Sequence, residues 1–193
     1  MNDIERWLTD SSKIINELAE TQSELITEAA RRIAKALAEG HRLYLMGNGG
    51  SAADAQHIAA ELINRFLLDR GPLPAIALTT DTSVLTSVAN DYGFPEIFSK
   101  QIAALVREGD VAWGFSTSGN SPNVVSALRL AREMGAVTVG LSGRDGGAMK
   151  QYCDYCICVP STSTPFIQEA HSVIGHAICD LIERTIFEGS HKI

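Results

Sequence analysis

The chain has 193 residues, 45% of them hydrophobic, which is enough for one compact domain with its own core. Its 16 lysines and arginines against 23 aspartates and glutamates give a net charge of −7, which argues against a general nucleic-acid-binding role. No apolar run reaches the roughly 18 residues of a membrane span. Residues 1–6 are acidic and amphipathic overall, which is not the pattern of a secretory signal. We therefore expect a cytoplasmic protein without membrane partners.

The first forty residues have a helical pattern. From Ile4 to Leu37 the apolar residues recur at helical spacing, which predicts an N-terminal helical arm over residues 1–40. The polar stretches 9–12 and 21–23 are possible breaks or caps within the arm, and Gly40 is placed to end it.

After the arm, short apolar runs alternate with helical segments. The runs at 43–46, 75–78, 111–115, 137–141 and 155–159 predict five strands of a parallel sheet with helices on both faces, an α/β fold in which 41–193 is the core of a single domain, 1–193. The strand, turn and helix start of 43–51 resemble those of 112–121. In an open parallel sheet such turns lie at one edge, so we expect the two loops to share a cleft.

The second of these loops is rich in hydroxyl groups. Ser116, Thr117, Ser118 and Ser121 precede a helix with Pro122 in its first turn. Backbone N–H groups and the positive end of a helix favour an anion, and hydroxyls can donate to phosphate oxygens. The pattern therefore indicates a phosphate site, with an ordinary capped turn as the alternative.

The first loop is a glycine-rich turn, 47–51, whose glycines allow close approach of a ligand to the backbone. On the helix after it, His57 and Glu61 are four residues apart and so share one face. Such a pair can be a metal half-site, an acid–base pair or a simple surface hydrogen bond.

The last helix supplies another polar set, with Gln168, His171 and His176. Gln168 and His176 are eight residues apart, about 12 Å along one unbroken helix, too far to reach one metal ion easily. Either Gln168 precedes the helix, or the two residues act in different copies of a site assembled from several subunits. His171 is more typical of a core or interface histidine satisfied by a backbone group.

Three cysteines, Cys153, Cys156 and Cys158, lie in a β-rich stretch. Metal clustering is one interpretation. The alternative, which the burial tendency of free cysteine favours, is that Cys156 and Cys158 act as small buried hydrophobes on one face of a strand in a reducing compartment.

Taken together, these motifs resemble a known family. The glycine-rich turn at 47–51, the His57 and Glu61 pair, the stretch 89–91, the hydroxyl loop at 116–121 and the stretch 167–176 occur in one order over about 130 residues and resemble the sedoheptulose 7-phosphate isomerases of the sugar-isomerase (SIS) fold. The resemblance implies a five-stranded parallel sheet of flavodoxin-like layout in a homotetramer with sites between subunits.

The resemblance also implies an activity and its residues. It implies an aldose–ketose isomerase that converts sedoheptulose 7-phosphate to glycero-manno-heptose 7-phosphate through an enediol, for heptose glycoconjugate precursors. Glu61 and His176 would be the catalytic acid–base groups, and His57, Glu61, Gln168 and His176 would hold one zinc ion per chain. The implied substrate-binding residues are Asn48, Gly49, Gly50, Ser51, Glu61, Arg65, Asn90, Asp91, Ser116, Thr117, Ser118, Ser121 and Gln168.

The chain departs from the family at Pro165 and Phe166, where many relatives have an acidic residue and an arginine. Contacts made through those positions are therefore not expected here. A non-catalytic relative that binds the replication initiator protein shares the character of residues 63–66 and 73–78 but lacks the carboxylate and the last histidine, whereas this chain keeps Glu61 and His176. A SIS module that senses a sugar phosphate, or isomerises a hexulose phosphate, is a third possibility.

Overall fold

The computed structural model describes residues 2–188, which fold as a parallel sheet with helices on both faces. The α-helices are α1 (Asp3–Ala38), α2 (Gly50–Ile63), α3 (Thr82–Tyr92), α4 (Ser99–Leu105), α5 (Pro122–Glu133) and α6 (Thr164–Glu183). The strands are β1 (Leu43–Met46), β2 (Ala75–Ala77), β3 (Val111–Ser116), β4 (Val137–Gly143) and β5 (Tyr155–Val159). Short 3-10 helices cover Phe94–Glu96 and Gly147–Tyr152, and a π-helical turn, Arg184–Glu188, follows α6.

The five strands are ordered β2-β1-β3-β4-β5, and every neighbouring pair is parallel. This is the flavodoxin-like order, which confirms the predicted fold. From β1 the chain continues to β2 on one side, and from β3 it continues to β4 on the other side. The loops after β1 and β3 therefore flank the point where the strand order reverses. Open α/β sheets bind ligands at that point.

α1 is one continuous helix of 36 residues, so the breaks considered at 9–12 and 21–23 are absent. The helix tolerates these polar residues because their hydroxyls find partners: Thr21 donates to the carbonyl of Glu17 at 2.7 Å, and Ser11 donates to the Glu169 carboxylate at 2.8 Å. Gly40 ends the helix as predicted, with φ of +88°, and the N–H of His41 reaches back to the Ala36 carbonyl.

The two faces of the sheet carry separate apolar clusters. α1, α2 and α6 pack on one face through residues such as Ile33, Ile58 and Ile178. α4 and α5 pack on the other through residues such as Ile102 and Leu128. This places α2 and α6 side by side, which decides the geometry of the polar cluster described below. Within residues 2–188, no helix is both long and apolar enough to cross a membrane.

Candidate active site

The loops after β1 and β3 are joined directly. Asn48 and Asn123 exchange two side-chain amide hydrogen bonds, of 2.9 and 2.8 Å, across the reversal point of the sheet. Asn123 is buried, and its side chain also accepts from the N–H of Val124 in the first turn of α5. The loop after β1 therefore lies directly beside the start of α5, which follows the hydroxyl loop.

The hydroxyl loop is held in shape by its own polar groups. The Ser116 and Ser121 hydroxyl oxygens lie 2.8 Å apart, and the Ser118 hydroxyl accepts from the N–H of Asn120. Ser121 is the residue before α5, but its side chain does not cap that helix. The positive end of α5 therefore lies beside a group of hydroxyls, an arrangement suited to an anion.

A second loop supports the hydroxyl loop from behind. The Thr117 carbonyl accepts from the N–H of Gly143, and the Asn120 side chain accepts from the N–H of Ala148. A Cβ atom at Gly119 would lie 2.1 Å from the Gly146 carbonyl oxygen, so only glycine fits where the two loops meet. These contacts hold the hydroxyl loop against the loop that follows β4.

Gln168 lies at the start of α2. A Cβ atom at Gly50 would lie 2.8 Å from the Gln168 side-chain nitrogen, so this glycine makes room for the amide. Gln168 is inside α6 and does not precede it, which removes one of the two explanations considered for its spacing from His176. α2 and α6 run in the same direction here, since Gly175 lies against Ile58 two turns further along.

Further along the same two helices, three side chains converge. The Nε2 atom of His57 lies 2.9 Å from a carboxylate oxygen of Glu61 and 3.3 Å from the Nε2 atom of His176. Within residues 2–188, these three form the one group of three or more histidines, cysteines or acidic residues whose ligand atoms all lie within 4.8 Å of one another. The predicted pairing of His57 with Glu61 is confirmed, and His176 joins it from α6.

The donor set of this cluster fits a metal ion. Two imidazole nitrogens and a carboxylate oxygen are ligands that zinc accepts, and bonds of about 2.0–2.1 Å in a tetrahedron put the ligand atoms about 3.3 Å apart. The separation of the two histidine nitrogens, 3.3 Å, matches that edge. In the same chain Gln168 lies about 12 Å along α6 from His176, away from these three residues.

A buried ion pair ties the ends of α2 and α6 together next to this cluster. The carboxylate of Glu183 accepts from the backbone N–H groups of Phe66, Leu67 and Leu68 at 2.7 to 2.9 Å, and from Arg70 at 2.8 Å. Burial alone would raise the pKa of Glu183, but these donors outweigh it and lower the pKa.

The ion pair also positions the cluster. Arg70 donates to the carbonyls of Glu61 and Leu62 at the end of α2, and the ring of Phe66 stacks on His176 with centroids 5.3 Å apart. The segment from Phe66 to Arg70 is thus held by hydrogen bonds to Glu183 and to the end of α2. In this position the Phe66 ring packs against the His176 imidazole.

Two other titratable groups on these helices have structural partners. The Asp54 carboxylate accepts from the Ser172 hydroxyl at 2.8 Å, and burial raises its pKa against the opposing effects of that bond and of nearby His57 and His176. His171 is fully buried, and its Nε2 atom lies 3.2 Å from the Ser142 carbonyl oxygen. Burial lowers the pKa of His171 to about 4, so the prediction of a core histidine is confirmed.

The other residues expected to bind substrate are distributed over the loops. Ser51 is buried in the first turn of α2, and Gly49 directly precedes that helix with φ of +57°. Arg65 is exposed after α2. Asn90 and Asp91 are exposed near the end of α3 and hydrogen-bond to each other at 2.8 Å.

Phe166 has a packing role. Its ring lies 4.5 Å from that of Trp7, centroid to centroid, and the Trp7 indole donates to Glu169 at 3.0 Å. Pro165 occupies the first turn of α6. Phe166 therefore joins the start of α6 to α1.

Sequence reasoning did not identify Asn123, Phe66, Arg70 or Glu183. Glu183 and Phe66 are 117 positions apart, and no local pattern connects them. A sequence signal did exist for Asn123, which directly follows Pro122 in the first turn of the predicted helix.

Comparison with known proteins gives consistent results. The SIS domain profile matches residues 6–143. A phosphoheptose isomerase from Solidesulfovibrio magneticus is 58% identical over 166 residues, covering 86% of this chain and 81% of that protein, and one from Pelobacter propionicus is 50% identical, covering 97% and 99%. The solved structure of the Neisseria gonorrhoeae phosphoheptose isomerase superposes with a TM-score of 0.88 at 42% identity, covering 93% of this chain and 96% of that one.

Proposed function

Because the chain belongs to the SIS domain family and, within it, to the phosphoheptose isomerases, we propose that it interconverts sedoheptulose 7-phosphate and glycero-manno-heptose 7-phosphate. The observation that carries the proposal is the convergence of His57, Glu61 and His176 where α2 and α6 meet. The same chain also carries a hydroxyl loop suited to an anion. The product would serve as a precursor of heptose-containing glycoconjugates.

Glu61 and His176 are the proposed acid–base groups. The Glu61 carboxylate removes a proton from C1 of the ketose and returns it to C2, while His176 moves a proton between the oxygens on those carbons, so that an enediol forms and collapses to the aldose. The Phe66 ring holds the His176 imidazole in place for this exchange.

We propose zinc, one ion per chain, as the metal, with His57, Glu61, His176 and Gln168 as ligands. When bound, zinc would supply Lewis-acid stabilisation of negative charge on the substrate oxygens. The 3.3 Å separation of the two histidine nitrogens and the hydrogen-bonded Glu61 support this choice.

The phosphate group is assigned to the hydroxyl loop, with Ser116, Thr117, Ser118 and Ser121 as donors. The start of α5 supports this assignment because Ser121 does not cap it and the positive end of the helix dipole favours an anion. Asn48, Gly49, Gly50, Ser51, Arg65, Asn90 and Asp91 complete the proposed set of sugar-phosphate contacts.

We propose a homotetramer in which neighbouring copies complete each site. Gln168 lies against Gly50 of its own chain, two turns from the three other ligands, so the Gln168 of each site would come from another copy. Exposed apolar side chains on α1 and α6, namely Ile4, Leu8 and Val173, supply surface for such an assembly. The free cysteines suit the cytoplasm as its location.

Mixed oligomers test the shared site. Gln168→Ala and His176→Ala variants should each be inactive, but coexpressed copies should regain part of the activity, since some sites then receive both intact residues. Native mass spectrometry gives the number of chains. A monomer with full activity would contradict the proposal.

A substrate panel tests the activity itself. The purified protein should convert sedoheptulose 7-phosphate and leave hexulose phosphates and unphosphorylated sedoheptulose largely untouched. Turnover of the free sugar as fast as its phosphate would remove the phosphate assignment. No conversion of any sugar phosphate would favour a sensor or the regulator that binds the replication initiator protein, for which no observation on this chain provides support.

A further inference from the structure

The residue next to Gln168 on α6 is held by the N-terminal arm. One carboxylate oxygen of Glu169 accepts from the Trp7 indole N–H at 3.0 Å, and the other accepts from the Ser11 hydroxyl at 2.8 Å. Trp7 and Ser11 are four residues apart, so they lie on one face of α1. Both oxygens of the carboxylate are therefore engaged, which fixes its orientation as well as its position.

An aromatic pair adds to this contact between the two helices. The Trp7 ring lies 4.5 Å from that of Phe166, centroid to centroid, with an angle of 48° between the ring planes. Phe166 and Glu169 are three residues apart, so they too share one face of their helix. Two residues on α1 thus meet two residues on α6. We call this set of side chains the arm contact: Trp7, Ser11, Phe166 and Glu169.

The start of α6 depends on packing, because no side chain caps it. Ser163 precedes the helix, but its side chain makes no capping hydrogen bond, and Pro165 has no N–H to donate. On the side that faces the sheet, the buried Ile167 packs against β4 at Gly143, where a Cβ atom would collide with it. The rotation of this turn about the helix axis is therefore set by Ile167 on one side and by the arm contact on another.

Gln168 lies on the remaining side of the same turn. Successive residues of a helix are about 100° apart around its axis, so Gln168 faces α2 while Ile167 faces the sheet and Glu169 faces α1. The Gln168 amide is close to Gly50, where a Cβ atom would lie 2.8 Å from its nitrogen. Within residues 2–188 this amide makes no hydrogen bond of its own. Its placement therefore follows the turn of α6 that carries it.

We propose that Trp7 and Ser11 are positioning residues that act on Gln168 through Glu169. The inference rests on the proposed function, in which Gln168 binds zinc and substrate. It holds for whichever copy's site Gln168 completes, because the arm contact and Gln168 belong to one chain. A displacement of about 1 Å far from the chemistry can lower a rate by about 100-fold, so a small rotation of this turn has a measurable effect.

Zinc affinity is the most direct readout of this positioning. The reduced full-length protein is stripped of metal and then competes with a chromophoric chelator for zinc, while His57→Ala, which lacks a direct ligand, gives the background. Glu169→Ala should weaken zinc binding by about 10-fold, the lower end of the loss that follows removal of groups that orient metal ligands. Trp7→Phe keeps a ring against Phe166 but removes the N–H donor, and Ser11→Ala removes the other donor. Each should have a smaller but measurable effect.

A second background separates positioning of Gln168 from a general loss of stability. In Gln168→Ala the ligand is already gone, so adding Glu169→Ala should lower the zinc affinity no further, whereas a merely structural role would lower it equally in both backgrounds. Glu169→Gln keeps an oxygen for the Trp7 N–H and gains an amide N–H for the Ser11 hydroxyl, so it should retain most of the zinc affinity. Ser12→Ala, at an exposed neighbouring position, is the matched control for Ser11→Ala and should change nothing.

Wild-type zinc affinity in Glu169→Ala would overturn the proposal, and so would an equal loss in the presence and absence of Gln168. If circular dichroism shows that Glu169→Ala does not fold, Ser11→Ala decides in the same two backgrounds. A wild type that binds zinc but leaves sedoheptulose 7-phosphate unconverted would contradict the proposed activity alone, since the zinc affinities of the variants still decide this inference. A wild type with no zinc affinity would overturn the inference together with the metal assignment.

Discussion

Glu61 on α2 and Glu183 on α6 are glutamates on two adjacent helices, yet they have opposite surroundings. The side chain of Glu183 is 0% exposed and accepts four hydrogen bonds from groups of its own chain. The side chain of Glu61 is 25% exposed and lies beside two imidazole nitrogens. The Glu183 carboxylate has its hydrogen bonds satisfied by groups of its own chain, so it stabilises the fold. The Glu61 carboxylate is accessible to solvent and lies beside other potential ligands, so it is available for chemistry.

The contrast extends to the histidines of α6. His171 is buried, held to the Ser142 carbonyl and kept neutral by a lowered pKa. His176, five residues later, is partly exposed and converges with His57 and Glu61. The same helix therefore carries structural residues on its sheet-facing side and candidate catalytic residues where it meets α2.

The largest effect is expected for Glu61→Gln. The amide keeps the shape of the side chain and removes its basicity, so kcat should fall by about 10²–10⁴. Because the His57–Glu61 contact is partly exposed, the free energy of unfolding should change by less than about 1 kcal/mol. Steady-state kinetics and urea unfolding measure both quantities, and zinc content must be determined alongside, since loss of the metal could mimic loss of the base.

Glu183→Gln should mainly lower the free energy of unfolding, whereas Glu61→Gln mainly lowers kcat. Removing its charge leaves Arg70 as an unpaired buried cation, which costs about 3–5 kcal/mol of unfolding free energy. The double variant Arg70→Met, Glu183→Leu should stay destabilised, because three backbone N–H groups would then lack an acceptor. Wild-type stability in the double variant would show that these N–H bonds do not hold the segment.

A pH effect should distinguish His171 from the other histidines. Since burial lowers its folded pKa to about 4, below the unfolded value of about 6.5, protons bind preferentially to the unfolded chain in that window. Stability therefore falls as the pH drops from 6.5 toward 4. Between pH 7.5 and 5 the wild type should lose about 2 kcal/mol more than His171→Gln, which cannot titrate. Equal losses in urea unfolding would contradict a buried neutral His171.

The smallest effect is expected for Phe66→Leu. The substitution removes the stacking on His176, an interaction worth about 0.5–1.5 kcal/mol, so kcat should fall by a few-fold to about 10-fold. KM should change little because Phe66 is not among the proposed substrate contacts. Phe66→Tyr keeps the ring and should retain most of kcat. An effect on KM alone would show that Phe66 does not position His176.

Local patterns predicted most of the fold. The apolar runs gave β1 and β5 with their observed bounds, and the glycine at position 40 gave the end of α1. The sequence left open whether α1 is continuous through residues 9–12 and 21–23. Polar stretches in a long amphipathic helix look like breaks until the partners of their hydroxyls, such as the Glu169 carboxylate for Ser11, are known.

The candidate site was predictable where residues lie one helical turn apart and less so across helices. The spacing of His57 and Glu61 fixes their contact. The spacing of Gln168 and His176 left two explanations open, and the structure removes one of them by placing both residues in α6. The Arg70–Glu183 pair depends on where α2 and α6 end in space. A contact of this kind, between positions 113 apart, leaves no periodic signal in the sequence.

Solvent deuterium incorporation tests the central claim most directly. Sedoheptulose 7-phosphate is converted in heavy water, and the deuterium at C2 of the aldose product is measured by mass spectrometry. If Glu61 carries the proton through an enediol, its partly exposed carboxylate exchanges with solvent, and the wild-type product should contain deuterium at C2. A product free of solvent deuterium, with the hydrogen from C1 fully retained at C2, would contradict proton transfer through Glu61 and indicate a hydride shift.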